Sequence, residues 1–229
     1  MIMNKPQFKS LFFFLIVLVS GTALSQEKIN QLDEQGRRTG VWKKYYDNKN
    51  IRYEGQFDAG KEIGVFKYYA ELNSEHPILV KTYTEGSDNA KVSYFYEGGK
   101  LQSEGAMNGK NRIGKWTYYN TDGKTIISEE NYENGLLHGT ATTYFGPGKI
   151  TEVLIFKNGL LHGNVLRYSS EGILLDDLQY ENGKLHGPAK YYNVAGKMIR
   201  KGNYENDQKA GNWEYFENGE PIPAKKVKE

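Results

Sequence analysis

The sequence predicts an all-β fold: an elongated single-layer antiparallel β-meander of tandem β-hairpin repeats with a period of about 24 residues. Three observations predict it. The 229 residues include 18 Tyr, 10 Phe and 3 Trp, which favour strands. The 26 Gly favour tight turns over helices, and one pattern recurs along most of the chain. There is no Cys, which excludes a disulfide framework, a thiolate zinc site and a cysteine nucleophile.

Residues 1–25 have the pattern of a secretory signal peptide. Lys5 and Lys9 precede an unbroken apolar run at residues 11–19, and small residues at Ala23 and Ser25 fit a cleavage site before Gln26. A membrane anchor is the alternative, but a spanning helix needs about 20 apolar residues. We therefore predict an exported protein, located in the periplasm, at the cell surface or in the medium.

The repeat is defined by a start position, usually glycine, with an apolar residue two positions later and an aromatic residue five positions later. All eight copies keep both. The start residues are Gly40, Gly64, Ala90, Gly114, Gly139, Gly163, Gly187 and Gly211; position two holds Trp42, Phe66, Val92, Trp116, Ala141, Val165, Ala189 and Trp213; position five holds Tyr45, Tyr69, Phe95, Tyr119, Tyr144, Tyr168, Tyr192 and Phe216.

The second half of each unit ends in another large apolar residue followed by a turn. The turn is plainest as Asn134-Gly135, Asn158-Gly159 and Asn182-Gly183, since Asn-Gly supplies the positive φ angles of a tight hairpin. The seventh copy has Asp207 in place of the glycine. We expect a lead-in at residues 26–39, a repeat array of about seven and a half units at residues 40–219, and a flexible tail at residues 220–229.

Three blocks carry a family resemblance: YENGLLHG at residues 132–139, FKNGLLHG at residues 156–163 and YENGKLHG at residues 180–187. They resemble the MORN repeat (membrane occupation and recognition nexus), especially its bacterial variant. The resemblance covers about residues 36–219. It departs from the pattern at an insertion in residues 70–77 and at the third start position, so the regularity of residues 64–113, but not the fold, is in question.

Hairpin pairing predicts two rows of side chains across the strands. With a turn centred near Asn48 and Lys49, Tyr45 lies beside Ile51, and one row alternates aromatic and aliphatic residues. A second row interleaves Trp42 with Phe57 and Phe66. Positions two and five cannot share one face of a regular strand, so either a bulge intervenes or both faces carry aromatic residues. The pattern leaves this choice open.

The sequence contains no motif that indicates catalysis. His138, His162 and His186 recur at the hairpin turns, but equivalent positions lie about 9–10 Å apart, too far for one zinc ion. Glu54, Glu104 and Asp177 are interpreted as a solvated face rather than a catalytic pair. Residues 146–149 lack the Ser or Thr and the spacing of a phosphate loop. We predict no catalytic, cofactor-binding or metal-binding residues and no enzyme activity.

The predicted function is therefore that of an exported protein-interaction or scaffold module acting through its aromatic sheet, and the resemblance to MORN repeats implies the same. The partner is expected to be another envelope protein, bound by the position-five residues Tyr119, Tyr144, Tyr168 and Tyr192. Pairing of free sheet edges would give a homodimer. Without the signal peptide the chain has 28 basic and 28 acidic residues, which predicts no nucleic-acid binding and no strong membrane binding.

Two other functions stay open at this stage. A row of exposed tyrosines could stack on sugar rings, which would make the chain a cell-wall or glycan-binding protein. The resemblance to the bacterial variant also implies an antitoxin-like or immunity role, although an exported chain does not fit a cytoplasmic antitoxin. A neighbouring toxin gene would favour the immunity role.

Overall fold

The computed structural model describes residues 28–223, and the predicted signal peptide lies outside them. All regular structure in this range is β-strand. The strands are β1 (Gln31–Leu32), β2 (Arg38–Tyr45), β3 (Ile51–Asp58), β4 (Lys61–Tyr68), β5 (Leu79–Tyr83), β6 (Asn89–Phe95), β7 (Leu101–Asn108), β8 (Asn111–Tyr119), β9 (Ile126–Glu133), β10 (Leu136–Gly146), β11 (Lys149–Lys157), β12 (Leu160–Leu161), β13 (Gly163–Tyr168), β14 (Leu174–Glu181), β15 (Lys184–Tyr192), β16 (Met198–Glu205), β17 (Gln208–Glu217) and β18 (Glu220–Ile222).

The strands form one open antiparallel sheet in which each strand pairs with the next one along the chain. The pair β12 and β13 acts as a single strand that is interrupted at His162, because both pair with β11. Consecutive pairing is what short hairpin turns impose on a chain of strands. The predicted meander of tandem hairpins is confirmed.

The tight turns between units have the predicted Asn-Gly geometry. Asn134 and Gly135 have φ angles of 51° and 83°, and the equivalent pairs in the next two units lie within a few degrees of these values. Asn206 and Asp207, in the copy without glycine, also take positive φ angles of 50° and 69°. Asp tolerates this left-handed conformation better than most residues, so the hairpin keeps its shape without the glycine.

The open choice between a bulge and two aromatic faces is settled by the register of β2 and β3. Trp42 lies opposite Gly55 and Tyr45 opposite Ile51, while Arg52 is skipped. The extra residue lies on the second strand, so β2 alternates regularly and directs Trp42 and Tyr45 to opposite faces. Both alternatives therefore hold: a bulge is present, and aromatic residues occupy both faces.

The start glycine creates a second irregularity in the ladder. Between β3 and β4 the register shifts around Gly64, which has a φ angle of 62°. Ala90 is the one start residue without glycine, and there β5 and β6 pair in continuous register from Leu79 with Tyr94 to Tyr83 with Ala90. Positive φ is costly for alanine, so the bulge is absent from this unit. The fold itself is unchanged, as predicted.

The interior of the protein is a strip of side chains on one face of the sheet. Position-two residues form its centre: Phe66, Val92, Trp116 and Val165 are fully buried. The predicted second row is present, because the ring centroid of Phe57 lies 5.8 Å from that of Trp42 and 5.0 Å from that of Phe66. Edge-to-face pairs at such distances contribute about 0.5–1.5 kcal/mol each beyond area burial.

Across neighbouring strands, residue sizes in this strip compensate one another. Three of the large rings at position two have glycine beneath them on the preceding strand: Gly55 lies beneath Phe66, Gly105 beneath Trp116 and Gly202 beneath Trp213. Where position two is alanine, a large residue lies opposite it, as Leu178 does with Ala189. The sheet has one layer, so no second layer can fill a gap beside a ring. The glycine of the neighbouring strand leaves the space in which the ring packs against the backbone.

The C-terminal boundary of the array differs from the prediction. Glu220–Ile222 form β18 and pair with β17, so these residues belong to the sheet and not to a flexible tail. Pro221 lies opposite Phe216 on this edge strand. Proline is tolerated there because an edge strand needs no hydrogen bond on its outer side.

Candidate interaction surface

The two faces of the sheet differ in chemistry. The aromatic face carries position two and its aromatic neighbours. The ion-pair face carries position five and a row of second-strand carboxylates. The aromatic face includes Trp42, Phe57, Phe66, Trp116, Tyr132 and Trp213; the ion-pair face includes Glu54, Tyr69, Glu104, Tyr119, Glu129, Tyr144 and Asp177.

Cross-strand ion pairs organise the second of these faces. Glu54 lies between Lys43 at 3.2 Å and Lys67 at 3.6 Å, and Lys115 contacts Glu129 at 2.6 Å. The hydrogen bond from Lys115 is the largest cause that holds the pKa of Glu129 below its ordinary value. Exposed pairs of this kind contribute up to about 1 kcal/mol each. These charged side chains on the ion-pair face therefore have partners of opposite charge within the sheet.

The four predicted binding residues Tyr119, Tyr144, Tyr168 and Tyr192 all lie half-buried in one row on the ion-pair face. Tyr119 donates its hydroxyl hydrogen to Glu104 at 2.9 Å, and Tyr144 donates to Glu129 at 3.0 Å. Each bond joins residues 15 positions apart, and Tyr69 makes the same bond to Glu54. These hydroxyls tie neighbouring strands together. A partner-binding role for the row stays a prediction.

We predict that the hydroxyl of Tyr119, which is bonded to Glu104, ionises at a higher pH than that of an ordinary tyrosine. Burial, followed by the hydrogen bond to Glu104, raises the pKa of Tyr119 from 10.0 to about 12. Because the folded pKa is raised, this stabilisation is complete below pH 10 and is lost as the pH rises through about 12. The phenolate absorbance of the native protein minus that of Tyr119→Phe should titrate near pH 12. Glu104→Gln should move that midpoint down, and a midpoint already at 10 would contradict the assignment.

On the aromatic face, a cation lies over each of the three tryptophans from the residue four positions earlier. Arg38 lies 5.1 Å from the Trp42 ring centroid, Arg112 lies 4.5 Å from that of Trp116, and Lys209 lies 4.8 Å from that of Trp213. Within residues 28–223, none of the three is within ion-pair distance of a carboxylate. Arg38 and Lys209 are exposed, and Arg112 is half-buried.

Arg112 has the most elaborate surroundings of the three. Its Nη1 donates to the hydroxyls of Tyr118 at 2.7 Å and Tyr132 at 3.2 Å. The guanidinium borders a shallow depression of about 330 Å³ that Tyr94 and Ser103 also line. A planar charged group held between an indole ring and two phenols is positioned to receive a carboxylate.

Apolar side chains that sequence reasoning missed are exposed at the side of the sheet where first strands turn into second strands. Phe145 is 69% exposed and Val194 is 73% exposed. Ile127 and Ile199 are also exposed, and both are the bulged residues skipped by the ladder. The signal that could have located Phe145 is its place directly before Gly146-Pro147-Gly148, outside the alternation of the strand.

The histidines were predicted to lie in the hairpin turns, but His138 lies within β10 and His186 within β15, and His162 lies at the interruption between β12 and β13. His138 Nδ1 lies 3.2 Å from a Glu133 carboxylate oxygen, and His186 Nε2 lies 3.7 Å from one of Glu181. Residues 28–223 contain no cluster of three or more His, Asp or Glu that could hold a metal ion. The same part of the chain has no helix of the length and apolarity needed to cross a bilayer.

Comparison with known proteins supports the resemblance. The family model for the MORN repeat variant matches residues 38–59, which contain β2 and β3, and residues 185–206, which contain β15 and β16. These two segments match the predicted MORN repeat family. MORN repeats are generally modules that interact with proteins or membranes, and they are not known as enzymes. A search of curated proteins gave no match.

Proposed function

The chain carries repeats of the MORN repeat variant, and from this premise we propose that it is an exported, non-enzymatic interaction module that binds another envelope protein through its sheet. Export rests on the sequence pattern of residues 1–25. The non-enzymatic role rests on the absence of a catalytic motif from the sequence and on the general role of such repeats.

The observation that carries this proposal is the set of tryptophan-stacked cations on the aromatic face. Arg38, Arg112 and Lys209 have aromatic partners but no carboxylate partner among the described residues, whereas Lys43, Lys67 and Lys115 on the other face are ion-paired. Arginine is among the residue types most enriched at the hot spots of protein interfaces. The aromatic face therefore offers charge complementarity to a partner with exposed carboxylates.

The alternative functions have weaker support. Sugar stacking needs open aromatic faces, and Tyr119, Tyr144, Tyr168 and Tyr192 are half-buried in the sheet. An immunity role depends on a neighbouring toxin gene, and no contact among residues 28–223 favours it.

The test is capture of envelope proteins on the immobilised mature chain, with two matched sets of variants. In one set Arg38, Arg112 and Lys209 are changed to Gln; in the other Tyr144, Tyr168 and Tyr192 are changed to Ser. We expect a specific partner that the first set loses and the second set largely retains, with circular dichroism confirming that both sets are folded. Loss of partner binding only in the second set would show that the partner binds the tyrosine row instead. Sedimentation with purified cell wall in place of protein capture would support glycan binding instead.

A further inference from the structure

The last long strand of the sheet repeats a central strand almost position for position. β8 runs Asn-Arg-Ile-Gly-Lys-Trp-Thr-Tyr-Tyr from Asn111, and β17 runs Gln-Lys-Ala-Gly-Asn-Trp-Glu-Tyr-Phe from Gln208. In both, a cation lies over the tryptophan ring, and glycine of the preceding strand lies beneath that ring. The two strands therefore present equivalent chemistry to whatever lies on their following side.

What lies on that side differs. β8 is followed by β9, which pairs with it from Gly114 to Tyr119. β17 is followed by the three-residue β18, which pairs only with residues 215–217. Within residues 28–223, nothing pairs with the outer side of residues 208–214, so the hydrogen-bonding groups on that side have no backbone partner among the described residues.

The equivalent tryptophans of β8 and β17 differ in burial. Trp116, which has the full-length strand β9 beside it, is completely buried. Trp213 has no strand of that length on its outer side among the described residues, and it is only half-buried.

The array itself shows what completes such a strand. On β9, Tyr132 lies opposite the start glycine of β8 and accepts a hydrogen bond from Arg112, while Glu130 lies opposite Trp116. The turn after β9 adds a backbone bond, since the Gly135 amide donates to the Arg112 carbonyl oxygen at 3.0 Å. An equivalent strand on β17 would place its tyrosine and its carboxylate beside Lys209 and Trp213.

We infer that the edge formed by residues 208–214 binds an extended acidic segment of a partner protein, which adds as a further antiparallel strand with the pattern Glu-x-Tyr followed by a tight turn. Main-chain hydrogen bonds to β17 would supply affinity, and contacts of the glutamate and tyrosine with Lys209 and Trp213 would supply specificity. This inference rests on the proposed interaction function and narrows it to one end of the sheet.

The probe is a labelled synthetic peptide with the sequence of residues 128–136, SEENYENGL, added to the full mature chain. Fluorescence anisotropy should show saturable binding with one peptide per chain. Lys209→Glu should weaken it about tenfold, because it places a like charge beside the peptide glutamates. Lys209→Arg should bind normally, since β8 has arginine at that position. Lys157→Glu is the matched control, an exposed lysine of β11 away from this edge, and it should leave binding unchanged.

Several results would overturn the inference. Equal binding of a scrambled peptide, equal binding by Lys209→Glu, or no binding at all would each do so. If the chain self-associates and the peptide disperses the dimer, the occupant is a second copy. If peptide binds only after residues 224–229 are removed, the chain's own end is the occupant. Capture of an envelope partner could still succeed through Arg38 or Arg112, so failure of the peptide and failure of the proposed function are distinguishable.

Discussion

Replacing Trp116 by alanine should lower the free energy of unfolding by about 3–5 kcal/mol, the range for large-to-alanine changes at fully buried sites. Trp116 has no exposed surface, because its ring lies between Gly105 of the preceding strand and the guanidinium of Arg112. Since the sheet has one layer, no second layer can move in to fill the space. Urea denaturation followed by circular dichroism gives the difference.

The matched control is the same substitution at Trp213, which also has a cation over its ring and a glycine beneath it, but only one long neighbouring strand. Trp213→Ala should cost clearly less than Trp116→Ala. Equal losses at both positions, or a loss at Trp116 of less than about 1 kcal/mol, would show that burial on the aromatic face does not hold the sheet together.

Gly105→Leu should also lower the free energy of unfolding, and the two changes together should be less damaging than their sum. A Cβ at position 105 would lie 2.4 Å from the Trp116 ring, so the ring must move or the strands must separate. Overpacking of this kind costs about 1–3 kcal/mol or more. In the double variant a leucine faces an alanine, as Leu178 faces Ala189, so we expect the combined loss to fall short of additivity by about 1–3 kcal/mol.

Gly98→Leu is the control for glycine replacement as such. Gly98 is exposed, and a Cβ there would meet nothing within 4 Å. Its replacement should leave the urea midpoint almost unchanged. Additive losses in the Gly105 and Trp116 double variant would contradict the size compensation between neighbouring strands.

Most of the fold follows from periodicity. The spacing of the start residues and of Asn134-Gly135 and its copies determines the hairpins, and hairpins in series leave no topology except a meander. The register at Tyr45 and the contacts of Trp42 with Phe57 also followed from the turn positions. The bulge at Arg52 did not, because an extra residue on the second strand leaves the spacing of the first strand unchanged.

The site was less predictable than the fold. Aromatic residues at position five were expected to be available to a partner, but the sequence does not show that Tyr119 and Tyr144 donate to carboxylates 15 residues earlier, because that contact crosses strands. The cations over the tryptophans were missed, although Arg38, Arg112 and Lys209 all lie four residues before a tryptophan. An extended strand would separate such residues, and the bulge at the start glycine brings them together.

The strictly sequential pairing of the strands affects how the chain reaches its folded state. Every ladder joins segments adjacent in the chain, so no loop longer than about one repeat has to close before a contact forms. The mean sequence separation of contacts is thus small for an all-β protein, and this quantity sets folding speed across simple domains. The chain should gain structure hairpin by hairpin from any internal starting point.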